Sequence, residues 1–332
     1  MPALSSPHGI PGLVSVLVLN KDQRDYLQRC IESVLRQSYL QKEIVVIDNA
    51  STDGSQAMMR AQFPHVHFLP LERNVGYAGG HNRGLQVARG AYVLLLNADL
   101  LLEPSFIEEM VQVIERASDI GMVQGKLYQM TGSQLPATSR RFDSVGLLMH
   151  RNRRTLLRGY GELDQGQYER GEEIFAPDGA APLYRREMLE DIRLGEQYFD
   201  EAFFMYREEV DLGRRARWRG WRAWYAPQAI AWHVRRYAPG QRWRQAWWLR
   251  RLQWRNRYCL LVKNDAASNV VRDLLPIMWF EVRAFFYSLI VEPHCLAAYV
   301  QAARLTPLMW RQRQRIFTRR TVSSEAMRRW FV

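Results

Sequence analysis

The first half of the chain alternates short apolar runs with segments whose apolar residues recur at helical spacing. The apolar runs end on polar or turn residues and lie at 13–20 (LVSVLVLN), 43–48 (EIVVID), 66–69 and 91–100 (AYVLLLNADL). Helical spacing is found at 26–38, 56–62, 82–88 and 105–117. Runs of this length are typical of buried parallel strands. The β-α-β-α-β alternation predicts an α/β fold with a mostly parallel, doubly wound, Rossmann-like sheet flanked by helices.

The second half has a weaker pattern. Residues 125–165 carry six arginines in irregular surroundings, and we expect loops there. Aromatic residues at 203–206 lead into a helix that starts near Glu208 and ends at Gly220, a typical C-terminal cap. Residues 221–226 and 229–233 are predicted to be strands. We predict a loose tail at 1–12, a domain at 13–240 divided near residue 124, and a helical, Arg- and Trp-rich extension at 241–332.

Polar side chains follow two of the predicted strands. Asp48 and Asp99 lie at carboxyl strand ends, the edge where open α/β sheets bind ligands. Asn97 and Asp99 are two residues apart and point the same way on an extended chain, so they could hold a divalent cation or a ribose. The alternative is that Asp99 only caps a turn or helix before Pro104.

A glycine-rich segment follows the third strand. Gly76, Gly79, Gly80 and Gly84 would let the backbone approach an anionic ligand at a helix N-terminus, or would simply form a tight loop. Their spacing is not G-x-G-x-x-G, which gives little support for a Rossmann oxidoreductase. The absence of G-x-x-x-x-G-K-[S/T] excludes a P-loop kinase.

Three acids begin the helix near residue 208. Glu208, Glu209 and Asp211 could act in catalysis or could complement the helix dipole. His233 ends the last predicted strand, where a structural role and a metal-binding role are both open.

Composition narrows the function classes. The formal charge is +12, and only four of the 46 basic residues are lysines, so the positive charge is almost entirely arginine. The planar guanidinium group suits phosphate recognition, but an arginine-rich composition is also common in proteins without this function. Three widely spaced cysteines indicate neither disulfides nor a thiolate metal site and favour a reducing, cytoplasmic compartment. The first residues do not resemble a signal peptide. The apolar stretch 274–303 is interrupted by charges, so we expect no transmembrane helix.

All eleven tryptophans lie from Trp218 onward, many of them beside arginines. They could cover the core of a helical bundle, or they could form a surface for membrane headgroups or an acidic ligand. For residues 235–257 and 304–329 we expect salt-sensitive, peripheral binding to anionic membranes.

The motifs together resemble family 2 glycosyltransferases of the GT-A fold, in particular the bacterial rhamnosyltransferase-like group. The matching stretches are VSVLVLN, IVVIDNASTDGS, RNVGYAGGHNRGL, YVLLLNADL and FDEAFFMYREEVDL followed by AIAWH, in the family's order over residues 13–235. RNRYCLLVKN is similar to the helix that follows the family's catalytic domain. The resemblance implies an inverting transfer of a sugar from a nucleoside-diphosphate sugar, such as dTDP-rhamnose or a UDP-sugar, to a glycan or lipid-linked acceptor in cell-surface polysaccharide synthesis.

The resemblance also implies roles for individual residues. Asp48 would contact the donor's base, Asp99 and His233 would hold Mg²⁺ or Mn²⁺, and Glu209 would be the catalytic base, where the family usually has Asp. Further substrate-binding residues are predicted, namely Asn49, Asp53, Gly76, Gly79, Gly80, Asn97, Asp178, Glu208 and Asp211.

Two rival functions stay open. The net charge and the Arg- and Trp-rich extension would suit a basic membrane-surface or nucleic-acid binder without turnover, although no nucleic-acid-binding motif is present and no nucleic-acid partner is expected. A sugar nucleotidyltransferase would also use a metal-binding aspartate, but NKDQRDY lacks the G-x-G-x-R-like signature expected after the first strand.

Overall fold

A computed structural model describes residues 8–130, 140–234 and 244–332. The first part of the chain alternates strands and helices in the order β1 (Ile10–Asn20), α1 (Arg24–Leu35), β2 (Lys42–Asp48), α2 (Ser55–Gln62), β3 (His67–Pro70), α3 (Gly76–Val87), β4 (Gly90–Asn97), β5 (Leu100–Leu102), α4 (Phe106–Ile114) and β6 (Ile120–Gln129). The middle part contains β7 (Phe142–Ser144), β8 (Leu147–Met149), β9 (Thr155–Leu157), β10 (Glu173–Ile174), β11 (Leu183–Arg185), α5 (Arg186–Asp191), α6 (Glu208–Trp218) and β12 (Arg222–His233). The last part is helical, with α7 (Trp247–Asn264), α8 (Ala267–Arg272), α9 (Leu274–Ile290), α10 (Ala297–Thr318) and α11 (Ser324–Arg328).

One mixed sheet forms the centre of the molecule, in the order β10-β12-β6-β11-β4-β1-β2-β3. Strands β4, β1, β2 and β3 are mutually parallel, as the alternation predicts. Strand β11 lies antiparallel between β4 and β6, and β12 runs parallel to β6. Each central strand is buried on both faces: Val16 and Val18 of β1 pack in the core on one side, and Leu17 packs in the core on the other. The predicted α/β fold with a C-terminal helical region is confirmed.

The short strand β5 determines the geometry of the site. It pairs antiparallel with the end of β12, and Leu100 lies opposite His233. The backbone N–H of Val234 donates to the carbonyl oxygen of Asp99 at 3.0 Å. The pairing therefore brings together two strand ends that are far apart in the sequence.

Four local expectations need correction. The glycine-rich segment belongs to α3, which begins at Gly76 rather than at residue 82. Side chains at Gly80 and Gly84 would collide with Leu19 and Ile47, so these glycines let the helix lie close to the sheet. The described parts of 125–165, predicted to be loops, also contain strands. The two strands predicted at 221–226 and 229–233 form one strand, β12, with an irregularity between Ala226 and Ile230. Strand β1 begins at Ile10, inside the predicted tail. Residues 131–139 lie outside the described part of the chain.

The C-terminal helices pack directly on the α/β part. The side-chain N–H of Trp218 in α6 donates to the carbonyl oxygen of Asn264 in α7 at 3.0 Å. Among the helices of the described ranges, none combines the length and the apolar character needed to cross a bilayer.

Candidate active site

A cleft of about 560 Å³ opens at the carboxyl edge of the sheet. Eight of the predicted site residues line it: Asn49, Gly76, Asn97, Asp99, Asp178, Glu208, Glu209 and His233. Five predicted residues do not line it: Asp48, Asp53, Gly79, Gly80 and Asp211. A concave site that gathers several polar side chains at this edge is typical of ligand binding in α/β proteins.

Asp99 and His233 contact each other in the cleft. His233 Nε2 lies 3.3 Å from Asp99 Oδ1, and both side chains are almost fully buried. His233 Nδ1 lies 2.8 Å from Asp143 Oδ2, and Gln23 Nε2 donates to Asp99 Oδ2 at 3.2 Å. Asp143 was missed from the sequence because the residues around RFDS show no clear strand periodicity and carry no motif, although Asp143 lies in β7.

The carboxylates on either side control the protonation of His233. Burial alone would lower the pKa of His233, but Asp143 and Asp99 outweigh it and raise the pKa to about 10. Burial would raise the pKa of Asp99, whereas the His233 imidazolium and the amide of Gln23 hold it below its usual value. In the metal-free protein the pair is therefore an ion pair at neutral pH.

The same atoms suit a divalent cation. One carboxylate oxygen and one imidazole nitrogen converge, and the other imidazole nitrogen is oriented by Asp143, an arrangement common around metal-ligating histidines. Mg²⁺ and Mn²⁺ keep several waters or phosphate oxygens and need few protein ligands, and a nitrogen ligand favours Mn²⁺.

Asp48 organises the loop after β2. It is fully buried, and its carboxylate accepts hydrogen bonds from Asn20 Nδ2, the backbone N–H of Ser51 and Gln56 Nε2, each at 2.9 Å. Asp53, on the exposed side of the same loop, accepts from the backbone N–H of Arg24 at 2.7 Å. In this structure both aspartates shape the loop beside the cleft.

Asn49 joins this loop to the start of α3. Its Oδ1 accepts from the backbone N–H of Val75 at 2.8 Å, and its Nδ2 donates to the carbonyl oxygen of Gly76 at 3.0 Å. Gly76 has φ +74°, and a Cβ atom there would overlap the carbonyl oxygen of Phe204. Phe204 belongs to a loop in which three non-glycine residues have positive φ, Phe204 at 64°, Tyr206 at 68° and Arg207 at 75°. Such conformations cost energy and persist only where surrounding contacts hold them.

We predict that Gly76→Ala lowers stability by about 1–3 kcal/mol and also impairs turnover, because both the positive φ and the overlap with Phe204 oppose the added methyl group. Chemical denaturation measures the first effect and steady-state kinetics the second. Gly161→Ala is the matched control, since Gly161 has φ +78° but no atom lies within 4 Å of the place its methyl group would take. Equal losses in both variants would show that the contact with Phe204 is irrelevant.

The acids at the start of α6 have different environments. Glu208 is buried, and one of its oxygens has no hydrogen-bond partner within the described residues. Burial, followed by the neighbouring carboxylate of Glu209, raises the pKa of Glu208 well above its ordinary value. Glu209 is only half-buried, and burial together with Asp178 raises its pKa as well. Of the two glutamates at the start of α6, Glu209 is thus the more accessible from the cleft.

Asp211 has a structural role in this fold. Its carboxylate contacts Lys263 Nζ at 2.8 Å, Arg215 Nε at 2.9 Å and Asn264 Nδ2 at 2.7 Å. Lys263 also pairs with Asp200 at 2.7 Å. Burial would raise the pKa of Asp211, but Lys263 and Arg215 lower it to about 2. The predicted substrate contact of Asp211 is not formed by this geometry, because the side chain joins α6 to α7.

We predict that Lys263→Met destabilises the protein by about 3–5 kcal/mol, because it leaves two buried carboxylates without their shared cation. Denaturant unfolding measures the loss. Arg272→Met removes an exposed pair with Glu325 and should cost less than about 1 kcal/mol.

The loss of stability in Lys263→Met should depend on pH. The ionised carboxylate of Asp211 stabilises the folded protein fully above the ordinary pKa of an aspartate, and this contribution is lost as the pH falls toward 2. The difference in unfolding free energy between Lys263→Met and the unaltered protein should therefore shrink between about pH 4 and pH 2. A deficit that is constant over this range would contradict the assignment.

The C-terminal extension contributes to the cleft, which sequence reasoning missed. Ala246, Trp248 and Leu249 line one wall, and Trp248 packs edge-on against Phe204 with ring centroids 6.5 Å apart. Asn256 Nδ2 lies within 2.9 Å of the carbonyl oxygens of Phe203, Met205 and Tyr206. Helix α7 therefore holds the strained loop in place. RNRYCLLVKN is the sequence signal that marks this helix.

Known proteins share this fold. The chain aligns with TarS 1–349 of S. aureus at 18% identity and TM-score 0.54, over 96% of this chain and 91% of that one. It aligns with the mannosyltransferase PcManGT of Pyrobaculum calidifontis at 15% identity and TM-score 0.52, over 95% and 87% of the two chains. Identities this low establish similarity of fold alone.

Sequence comparison identifies the family. The chain is 25% identical over 248 residues to the N-acetylglucosaminyl-diphospho-decaprenol L-rhamnosyltransferase of Mycobacterium tuberculosis, covering 69% of this chain and 78% of that protein. It is 33% identical over 119 residues to glycosyltransferase GlyG of Streptococcus pneumoniae, covering 35% of this chain but only 39% of GlyG. The sequence model of glycosyl transferase family 2 matches residues 15–193, which is more than half of the chain. The predicted resemblance is confirmed, and the chain belongs to glycosyl transferase family 2.

Proposed function

We propose that this protein transfers a sugar, with inversion, from a nucleoside-diphosphate sugar to a hydroxyl group of a glycan or lipid-linked acceptor. One observation carries the proposal: a single cleft holds both the Asp99–His233 pair and the half-buried carboxylate of Glu209. The pair suits a cation that binds diphosphate, and the carboxylate suits removal of a proton from an acceptor.

Glu209 is the proposed base. A carboxylate that faces the cleft can accept the proton of the acceptor hydroxyl as its oxygen attacks the anomeric carbon. The raised pKa of Glu209 makes this carboxylate a stronger proton acceptor than an ordinary glutamate. Gly179 lies beside Glu209 in the cleft. The carbonyl oxygen of Gly179 accepts a hydrogen bond from the Tyr77 hydroxyl at 2.6 Å, and this bond fixes the backbone next to Glu209.

Asp99 and His233 would hold Mg²⁺ or Mn²⁺. When bound there, the cation would stabilise negative charge on the leaving diphosphate. Asp143 keeps the imidazole of His233 oriented, and Gln23 orients the carboxylate of Asp99. Asn97 lies at the end of β4 in the same cleft and can contact the donor.

The donor's base would lie near the loop after β2, where Asn49 lines the cleft. Asp48, for which the sequence predicts a contact with the base, is buried behind this loop and would act by holding its shape. Solved complexes of fold neighbours support a nucleotide donor, since TarS 1–349 binds UDP and UDP-GlcNAc and PcManGT binds GDP-Man with Mn²⁺. The name of the mycobacterial relative supports a lipid-linked acceptor and a rhamnosyl donor.

Donor turnover tests the proposal. The purified protein is incubated with Mn²⁺ and a panel of nucleotide sugars that includes dTDP-rhamnose and UDP-sugars, and free nucleoside diphosphate is measured. Thermal shift with the same panel ranks the donors, because binding to the folded state raises its apparent stability. Release of pyrophosphate would indicate a nucleotidyltransferase instead, and retention of nucleic acid without turnover would indicate a binding protein.

A further inference from the structure

Helix α9 presents an apolar face to solvent. Its buried side chains are Ile277, Ala284 and Ser288, which lie along one side of the helix. The opposite side carries large exposed apolar residues at helical spacing, namely Leu275, Met278, Trp279, Phe286, Leu289 and Ile290. We call these six residues the α9 face. A contiguous apolar face of this kind is uncommon on a monomer surface and marks an interaction site.

The C-terminal region that carries this face has a strongly one-sided charge. Residues 244–332 contain 16 basic and five acidic residues, so they carry +11 of the formal +12 of the chain. Four of the five acids are buried or partly buried in ion pairs, and exposed Glu325 pairs with Arg272. The excess charge of this region is therefore cationic.

Exposed tryptophans in this region lie beside arginines. The guanidinium of Arg283 lies 6.0 Å from the ring centre of Trp279, that of Arg313 5.4 Å from Trp310, and that of Arg251 4.8 Å from Trp247. A tryptophan with an apolar body and a polar N–H suits the boundary between headgroups and hydrocarbon. An adjacent arginine suits the phosphate of an anionic headgroup.

We propose that the α9 face docks on an anionic phospholipid bilayer, with α9 lying in the plane of the interface. The helix has 17 residues, shorter than the roughly 20 needed to span a bilayer, and its other side packs on the protein. A second copy of the chain is a poorer occupant, because pairing two α9 faces would bring two regions of charge +11 together. The apolar side chains enter the acyl boundary while the arginines contact phosphates.

This inference extends the expectation from the sequence. The arginine and tryptophan runs at 235–257 and 304–329 predicted an electrostatic contact, and residues 235–243 lie outside the described part of the chain. The α9 face adds an apolar component that salt does not screen. Binding should therefore weaken with salt but should not vanish.

Vesicle sedimentation with two matched variants tests the proposal. Leu275 in α9 is 83% exposed and Leu40, in the loop before β2, is 85% exposed, so Leu275→Glu and Leu40→Glu make the same chemical change at nearly equal exposure. The full chain is mixed with phosphatidylcholine vesicles, with and without phosphatidylglycerol. We expect Leu275→Glu to lower the partition coefficient on anionic vesicles by at least about tenfold, and Leu40→Glu to leave it within about twofold.

Several results would overturn the proposal. Equal effects of the two variants would show that only net charge matters, and absence of binding by the unaltered protein would exclude the bilayer. Sedimentation velocity without lipid should show a 39.0 kDa monomer for all three proteins. A dimer that Leu275→Glu converts to monomer would assign the face to a second copy instead.

Discussion

Replacing Asp99 by Asn is expected to lower kcat by about 10³-fold with the fold intact, because the carboxylate proposed to hold the cation becomes a neutral amide of equal size. Asp99 lies at a strand end on the cleft, so the change leaves no cavity in the core. Steady-state release of nucleoside diphosphate at saturating donor and Mn²⁺ measures the effect. Circular dichroism and thermal unfolding check the fold.

Asp119→Asn is the matched control for this experiment. Asp119 is half exposed and lies outside the cleft, and its carboxylate is 3.6 Å from the guanidinium of Arg222 on the protein surface. Its substitution should leave kcat unchanged. Activity of Asp99→Asn equal to that of the unaltered enzyme would remove Asp99 from the proposed metal site. Asp99→Ala should be equally inactive.

Glu209→Gln is expected to lower kcat by roughly 10²- to 10⁴-fold with little change in donor affinity, because glutamine keeps the size of the side chain but cannot accept a proton. Single-turnover kinetics and donor titration separate the two quantities. Since the pKa of Glu209 is raised, the acid limb of the kcat/KM profile should lie above the pH at which an ordinary glutamate titrates. Activity should increase with pH through this limb, because the base must be deprotonated.

Glu208→Gln is the neighbouring control. Glu208 is more buried, and we expect its neutral substitute to retain most activity, since burial already favours the protonated form. An inactive Glu208→Gln with an active Glu209→Gln would transfer the role of base to Glu208. Glu209→Asp restores the residue that is usual in the family and tests the distance between the carboxylate and the acceptor hydroxyl. Activity will be retained only if the shorter side chain still reaches this hydroxyl.

The first hundred residues illustrate what a sequence can predict well. Strands β1, β2 and β4 are buried on both faces, so each is a short apolar run that ends abruptly where the chain leaves the core. A polar residue at such an end must lie at the carboxyl edge of a parallel sheet, which is why Asp48 and Asp99 could be placed there. Family motifs then added His233 and Glu209, and the structure brings Asp99, His233 and Glu209 into one cleft.

Other features depend on what packs against each element. Among the glycines of α3 predicted to bind substrate, Gly76 lines the cleft, whereas Gly79 and Gly80 face Val75 and Leu19. The pattern alone cannot distinguish these roles, because the absence of a side chain permits close packing as well as the approach of a ligand. Asp211 has the same helical position whether it binds a substrate or a buried lysine, and only the position of Lys263 on α7 distinguishes these roles.

The sequence by itself determined the order of the strands and helices around β1 to β4, the edge at which the site lies, and the family. Only the tertiary structure decided that Asp143 contacts His233 across 90 residues of sequence, that α7 closes one wall of the cleft, and that α9 leaves an apolar face uncovered. The physical reason is that periodicity reports which side of an element avoids water, whereas contacts between distant segments depend on strand pairing and helix packing that no local pattern encodes.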